Sequence, residues 1–259
     1  MDIKTIVNTE NYPLSDQEFQ SACHQTLNRT GVIVMRHFLK PEIVELIRRE
    51  GEDKKHRAYF CRQEHNVYLT PSDEDYPADH TRNRLVVSSK GCITDDVIPA
   101  NSPLRTLYDS EVFRDFLCRV LDETSLYEYA DPLSSINLHY AETGQELGWH
   151  FDNSSFAITL MIQEPEEGGA FEYVGGMRDA DKGEMNFEGV EKILNGDIRP
   201  EKLKMDAGTL VLFRGRNAIH RVAPVEGSRT RMLTVLAYNS EPGIALSESA
   251  RMTFFGRLE

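Results

Sequence analysis

The sequence predicts an α+β chain, helices first and a run of short strands afterwards. Three observations carry this. Capped apolar repeats of helical period occupy three stretches of the first half. From Leu133 onward the texture changes to short apolar segments separated by turn signals, the pattern of a β sandwich or barrel. And 259 residues are enough for one domain with a sizeable core. The expected division of the single domain 1–259 is a helical scaffold and lid over 1–130, a strand-rich core over 131–240, and a C-terminal tail over 241–259.

In chain order, Ser15 with Glu18 forms a capping box, and Leu14 with Phe19 the matching hydrophobic staple. Phe19, Ala22, Cys23 and Leu27 then share one helical face, and Gly31 ends the helix. Val32 to Met35 is a short buried strand. Pro41 suits the first turn of a second helix, with Ile43, Val44, Leu46 and Ile47 facing inward. Between Arg57 and Ser102 only pieces of strand are legible, at Tyr59-Phe60, Val67-Tyr68-Leu69 and Leu85-Val86-Val87. The acidic loop from Pro71 to Asp79 lies between them, and a long irregular segment of this kind reads as a substrate-covering lid. Arg82 and Arg84 are its candidate anion-binding residues, weighed against ordinary surface pairing. Ser110 starts a third helix that buries Phe113, Phe116, Leu117, Val120 and Leu121.

The strands follow: Ser135 to Tyr140, Trp149 to Asp152, Phe156 to Ile162, Ala170 to Val174 after the Gly168-Gly169 turn, Thr209 to Phe213, and Met232 to Tyr238. Residues 178–205 form an insertion with one helix, Glu188 to Leu194.

Composition excludes several functions. Lys+Arg 29 against Asp+Glu 42 gives a net charge of −13, unsuited to the phosphate neutralisation on which nucleic-acid binding rests. Cys23, Cys61, Cys92 and Cys118 are scattered with no C-x-x-C, as in a protein of a reducing compartment rather than a disulfide framework. No run is long and apolar enough for a membrane span and no signal peptide is evident, so a cytoplasmic protein is expected.

The chemistry concentrates at Gly148-Trp149-His150-Phe151-Asp152-Asn153 and at His220. In a strand, alternation turns His150 and Asp152 to one face and Phe151 to the other. Two imidazoles and a carboxylate on one side of a metal are the facial triad of non-haem Fe(II) oxygenases, leaving the opposite positions open. A bare His-x-Asp more often belongs to surface or capping residues. Here apolar strands follow the pair and precede His220, and an arginine-bearing strand comes after it.

That segment resembles the Fe(II)/2-oxoglutarate-dependent dioxygenases. So do Gln163-Glu164-Pro165, Gly168-Gly169, Phe171-Glu172-Tyr173, and the run from Leu212-Phe213 to His220-Arg221-Val222. More narrowly they are similar to a group of free-amino-acid hydroxylases and halogenases. The resemblance, strongest from Ser135 to Tyr238, implies a double-stranded β-helix (jelly-roll) core with flanking N-terminal helices. It implies Fe(II) held by His150, Asp152 and His220, with 2-oxoglutarate and O₂ as co-substrates. The remote carboxylate of 2-oxoglutarate needs a permanently charged fork. Arg229 and Arg231 both qualify, on one face of one strand; Arg231 is preferred because it abuts the apolar core strand.

Asn137 and Tyr140 are expected to reach the 2-oxoglutarate site, and Arg84, Asn153 and Glu172 to contact substrate. His139 is expected as a packed structural histidine, Thr234 as ordinary packing. Halogenating relatives carry Gly or Ala in place of the carboxylate, so Asp152 points to hydroxylation, with desaturation and ring closure as related outcomes. The expected substrate is a small free amino acid oxidised at an unactivated carbon, with neither nucleic acid nor membrane as partner. A non-catalytic jelly-roll metal sensor is the reading from another class.

Overall fold

A computed structural model describes residues 2–259. The N-terminal region is a layer of helices, α1 (Ile3–Ile6), α2 (Gln17–Thr30), α3 (Pro41–Lys54), α4 (Pro103–Tyr108) and α5 (Glu111–Leu121), with strand β1 (Val32–Met35) after α2. The α2 cap lies one residue later than expected. Asp16, not Ser15, accepts the Phe19 amide, because an aspartate at the first non-helical position competes successfully with the serine before it. Gly31 closes α2 and Pro41 opens α3, both as expected. Leu46 is corrected: it is exposed, while Ile43, Val44 and Ile47 form the buried face of α3. Ser110 caps α5 and all five residues expected on its inner face are buried.

The region expected as pieces around a lid is a long hairpin. Strand β2 (Tyr59–Asn66) pairs over its whole length with β3 (Leu85–Ile93). Their alternation was masked because both carry polar residues on each face (Arg62, Gln63, Glu64 and Ser88, Ser89, Lys90). Val67 and Tyr68 lie in the turn after β2 rather than in a strand.

The remaining strands are β4 (Ile136–Ala141), β5 (Leu147–His150), β6 (Ala157–Gln163), β7 (Glu167–Gly168), β8 (Phe171–Val174), β9 (Glu201–Leu203), β10 (Leu210–Phe213), β11 (Ile219–Val222), β12 (Val225–Glu226) and β13 (Arg231–Leu236). Helix α6 (Phe187–Leu194) lies in the expected insertion. One curled antiparallel sheet runs β1-β10-β6-β13-β4-β3-β5-β11-β8-β9, with β2 outside β3, and β7 pairs with β12 in a small separate ladder. This is the expected α+β jelly-roll. Strand β3 pairs with β4 at one end and with β5 at the other, bridging the two halves of the curl.

Alternation sorts the core into two layers. Leu138, Tyr140, Ile158, Leu160, Leu210, Leu212, Met232 and Leu236 face the helices. Met161, Val211, Phe213 and Leu233 face the interior of the curl. The helix layer sits close. A Cβ on Gly51 of α3 would stand 2.6 Å from a Leu138 methyl, so a larger residue there would push that side chain aside. The segment expected as a tail carries helix α7 (Glu248–Phe255), which packs on β2 and β3. No helix among the described residues is long and apolar enough to cross a membrane.

Candidate metal centre and its cavity

Strand β11 pairs with β5 so that His220 stands directly opposite His150. Strand β5 ends at His150, and Asp152 lies two residues beyond it in irregular chain. Its side chain still converges, because its amide donates to the Gly215 carbonyl at 3.1 Å and fixes the backbone. One ligand atom from each of His150, Asp152 and His220 lies within 4.8 Å of the others.

The hydrogen bonds behind the triad set its chemistry. The Nδ1–H of His150 donates to the Gly148 carbonyl at 2.8 Å, and that of His220 to the Ala218 carbonyl at 3.0 Å. Each ring is thereby held in the tautomer whose Nε2 lone pair faces the centre. Those Nε2 atoms lie 3.7 and 3.4 Å from Asp152 Oδ1. The other carboxylate oxygen, Oδ2, is buried without a hydrogen-bond partner.

An orphaned carboxylate oxygen beside two inward lone pairs is a donor set that fits a divalent cation. Burial, then the neighbouring His220, pushes the His150 imidazole down to about 3, so it stays neutral and able to ligate. Burial raises the Asp152 carboxyl, but the two imidazoles and Arg178 outweigh it and hold it below its usual range.

The second row was invisible in the sequence. Ser88 Oγ accepts the Gly148 amide at 3.0 Å and donates to His65 Nε2 at 2.6 Å, and His65 Nδ1–H donates to the Asn66 carbonyl at 3.0 Å. This buttresses the strand behind His150, whose ring His65 meets edge-on at 6.2 Å. Gly215 is equally necessary, since a Cβ there would stand 1.9 Å from Asp152 Oδ2.

The triad opens into a cavity of about 730 Å³, within the range of small-molecule sites. Arg231 lines it, 5 % exposed, its Nε without a partner. Burial lowers the guanidinium to about 10, so it remains a cation at neutral pH. Arg229 is exposed and donates to the Pro165 carbonyl at 3.0 Å, outside the cavity. The alternation that puts both on one face fails because β13 begins only at Arg231.

Other expected site residues are dispersed. Tyr140 turns to the helix layer and donates to the Gly51 carbonyl at 2.6 Å. The Asn137 amide is taken by the Leu133 and Ile136 carbonyls at 2.7 and 3.0 Å, clear of the cavity. Glu172 is buried on the far face of β8, paired with Arg221 and Lys202 at 2.7 Å each. Arg84 donates to Asn195 Oδ1 at 2.6 Å, tying the loop to the end of α6. Arg82 lies 3.8 Å from Asp73, within its own loop. Asn153 does line the cavity, at its exposed rim. The loop after β2 borders the same rim through Leu69, Thr70 and Ser72, without its arginines.

Lys90 and His139 stand together in the cavity wall. His139, expected as a packed structural histidine, is in the wall, with Lys90 Nζ at 3.3 and 3.2 Å from its ring nitrogens. No periodic signal marked Lys90, because Ser88, Ser89 and Lys90 break the apolar run that ends at Val87.

Residues 14–251 match the family described as Halogenase D. No curated protein matches the chain. Among solved structures it is similar to the non-haem α-ketoglutarate-dependent carbocyclase SnoK from nogalamycin biosynthesis. The TM-score there is 0.59 at 13 % identity, covering 91 % of this chain and 90 % of that one. A prolyl hydroxylase from Trichoplax adhaerens, in complex with a hypoxia inducible factor peptide fragment, gives 0.56 at 11 % identity, covering 86 % and 90 %. A 2OG-Fe(II) oxygenase family oxidoreductase from Burkholderia pseudomallei gives 0.53 at 12 % identity, covering 87 % and 92 %. At these identities the likeness speaks for the fold.

Proposed function

The chain belongs to the Halogenase D family and is an Fe(II)/2-oxoglutarate-dependent oxygenase, and from that premise we propose that it hydroxylates a small free amino acid or close derivative at an unactivated carbon. The observation that carries the reading is Asp152, a carboxylate whose orphaned oxygen completes a three-ligand set with His150 and His220. Fe(II) with 2-oxoglutarate and O₂ supplies the oxidant for such a carbon, with succinate and CO₂ as by-products.

The protein's own part is positional. His150 and His220 present fixed Nε2 lone pairs, and Asp152 adds the single negative charge. Arg231 pairs with the remote carboxylate of 2-oxoglutarate; it has no protein anion to release first. Phe171 and Phe213 pack against the His220 ring at 5.5 and 4.9 Å and keep water from that side. Asn153, at the rim, is placed to hydrogen-bond a polar substrate. The whole chain, 1–259, acts as one catalytic unit, since the helices and the sheet share a continuous apolar core.

The family description favours a second reading, halogenation. It requires an open position for halide, and Asp152 fills that position. The test is succinate formation coupled to product mass across free amino acids, capped amino acids and short peptides, with chloride present. A free amino acid gaining one oxygen supports the proposal. Replacement of hydrogen by chlorine overturns the hydroxylase reading, and turnover confined to peptides overturns the free-amino-acid reading.

A further inference from the structure

The cavity holds a second cation that neither the metal centre nor the 2-oxoglutarate site uses. In the β3–β4 ladder Gly91 stands opposite Tyr140 and Cys92 opposite His139. One step further along, Lys90 comes level with Ala141, whose partner on the other side is Arg231. Arg231 and Lys90 thus flank strand β4 at one height of the curl, and both line the cavity.

The surroundings of Lys90 are unusual for a lysine. Its ammonium lies 3.3 and 3.2 Å from the two ring nitrogens of His139 and 5.4 Å from the centre of the Phe254 ring on α7. Among the described residues no carboxylate lies within 4.0 Å of it. His139 does not compete for the role of cation: burial, then the charges of Lys90 and Arg231, keep its imidazole neutral. Among the described residues the carboxylates in the cavity wall are Asp152 and Glu64, and Glu64 is exposed.

Fe(II) beside one carboxylate ligand leaves one positive charge, and the 2-oxoglutarate dianion cancels that charge and Arg231. Lys90 remains, in a cavity whose walls are otherwise largely apolar. A buried charge left unpaired is costly, and burial already lowers the Lys90 ammonium below the ordinary lysine range, so the partner that keeps it charged is an anion that arrives with the substrate.

We propose that Lys90, braced by His139 and roofed by Phe254, is a second anion-binding point of this cavity and takes the carboxylate of the organic substrate. Arg84, the residue expected for that task, is engaged elsewhere. The inference deepens the proposed function by orienting its substrate, but rests only on the oxygenase reading: a carboxylic acid without an amino group satisfies it equally.

The test uses the full chain loaded anaerobically with Fe(II) and 2-oxoglutarate, titrated with three matched panels: free L-amino acids, the corresponding 2-hydroxy acids, and the carboxamides of both. Dissociation constants are read from the perturbed metal-to-ligand charge-transfer band, and that of 2-oxoglutarate separately. Carboxylates are expected to bind at least about thirty-fold more tightly than their carboxamides, the scale of an unpaired buried charge. Lys90→Met should erase that difference while leaving 2-oxoglutarate affinity within about two-fold, and Lys90→Arg, which keeps the charge, should preserve most of it. Should Lys90→Met not fold, Lys90→Gln carries the same expectation. Hydroxy acids that bind through Lys90 where amino acids do not would keep this proposal and remove the amino-acid reading. Three results overturn it: a preference for acids that survives loss of the lysine, a loss of 2-oxoglutarate affinity instead, or panels with no carboxylate ligand.

Discussion

Replacing Arg231 with methionine removes a cation and keeps most of the volume, and the structure predicts effects of opposite sign on the free and the loaded protein. The guanidinium is 5 % exposed, its Nε has no partner, and burial depresses its pKa to about 10. In the free protein it is a buried charge without a counter-ion. Arg231→Met should therefore stabilise that form by about 1–3 kcal/mol, a rise of several degrees in Tm for a chain of this size. On the proposed assignment, 2-oxoglutarate makes the arginine one half of a buried ion pair. Truncating one half costs about 2–5 kcal/mol, roughly thirty- to several-thousand-fold in affinity. Anaerobic titration of the Fe(II) protein, followed by the charge-transfer band, gives the affinity; thermal unfolding with and without 2-oxoglutarate gives both stability terms. Fe(II) affinity should hardly change. If Arg229→Met loses 2-oxoglutarate and Arg231→Met does not, the assignment is wrong. A destabilised free Arg231→Met protein would refute the claim that the charge is unpaired.

Asp152→Ala should abolish oxygenation, because the site loses its one anionic protein ligand; full turnover with normal iron content would refute the ligand set. Gly215→Ala leaves every ligand in the sequence but puts a Cβ 1.9 Å from Asp152 Oδ2, so Fe(II) affinity should fall at least about ten-fold with an unchanged circular dichroism spectrum. Unaltered Fe(II) binding would show that the carboxylate has another place to go. His139, driven well below its ordinary value of 6.5 by burial and then by the two cations, is neutral when folded and protonates when unfolded as the pH falls. Its contribution is complete above about pH 6.5 and is lost below it, at up to about 1.4 kcal/mol per pH unit. Urea unfolding of the metal-free protein from pH 7 to 5 should show this slope, shallower in His139→Asn; equal slopes would place that proton elsewhere.

What the sequence disclosed and what it hid divide along physical lines. The triad was legible because strand alternation and two apolar runs constrain His150, Asp152 and His220 locally. The geometry is less regular than that argument, since Asp152 stands outside β5 and is aimed by the Gly215 carbonyl. Periodicity does not encode a contact between residues 63 positions apart. Arg231 was separable from Arg229 by its nearness to the core strand. Tyr140 and Glu172 failed for one reason: parity says that a side chain has a face, but not which face is the cavity. Tyr140 shares the helix-side face with Leu138, and Glu172 the outer face of β8 with its partners Arg221 and Lys202. The β2–β3 hairpin was missed because its polar residues fall on both faces, the mark of a strand that borders a cavity rather than a core.

That hairpin and α7 suggest how one core serves different substrates. His150, His220 and Arg231 come from β5, β11 and β13, whereas Lys90 comes from β3, which bridges the two halves of the curl, and Phe254 from α7, which packs on β2 and β3. Changes in the added elements should alter substrate binding without touching the cofactors. Phe254→Ala is the sharpest case. It removes the ring 5.4 Å from the Lys90 ammonium and lets water reach it, weakening both the cation–π contact and the low dielectric that strengthens an ion pair. The expected loss is about 1–2 kcal/mol in substrate binding, roughly five- to thirty-fold, with 2-oxoglutarate and Fe(II) constants unchanged. Calorimetry on the anaerobic holoenzyme separates the three. An equal loss of 2-oxoglutarate affinity would mean that α7 closes the co-substrate site as well, and that the division between core and added elements does not hold.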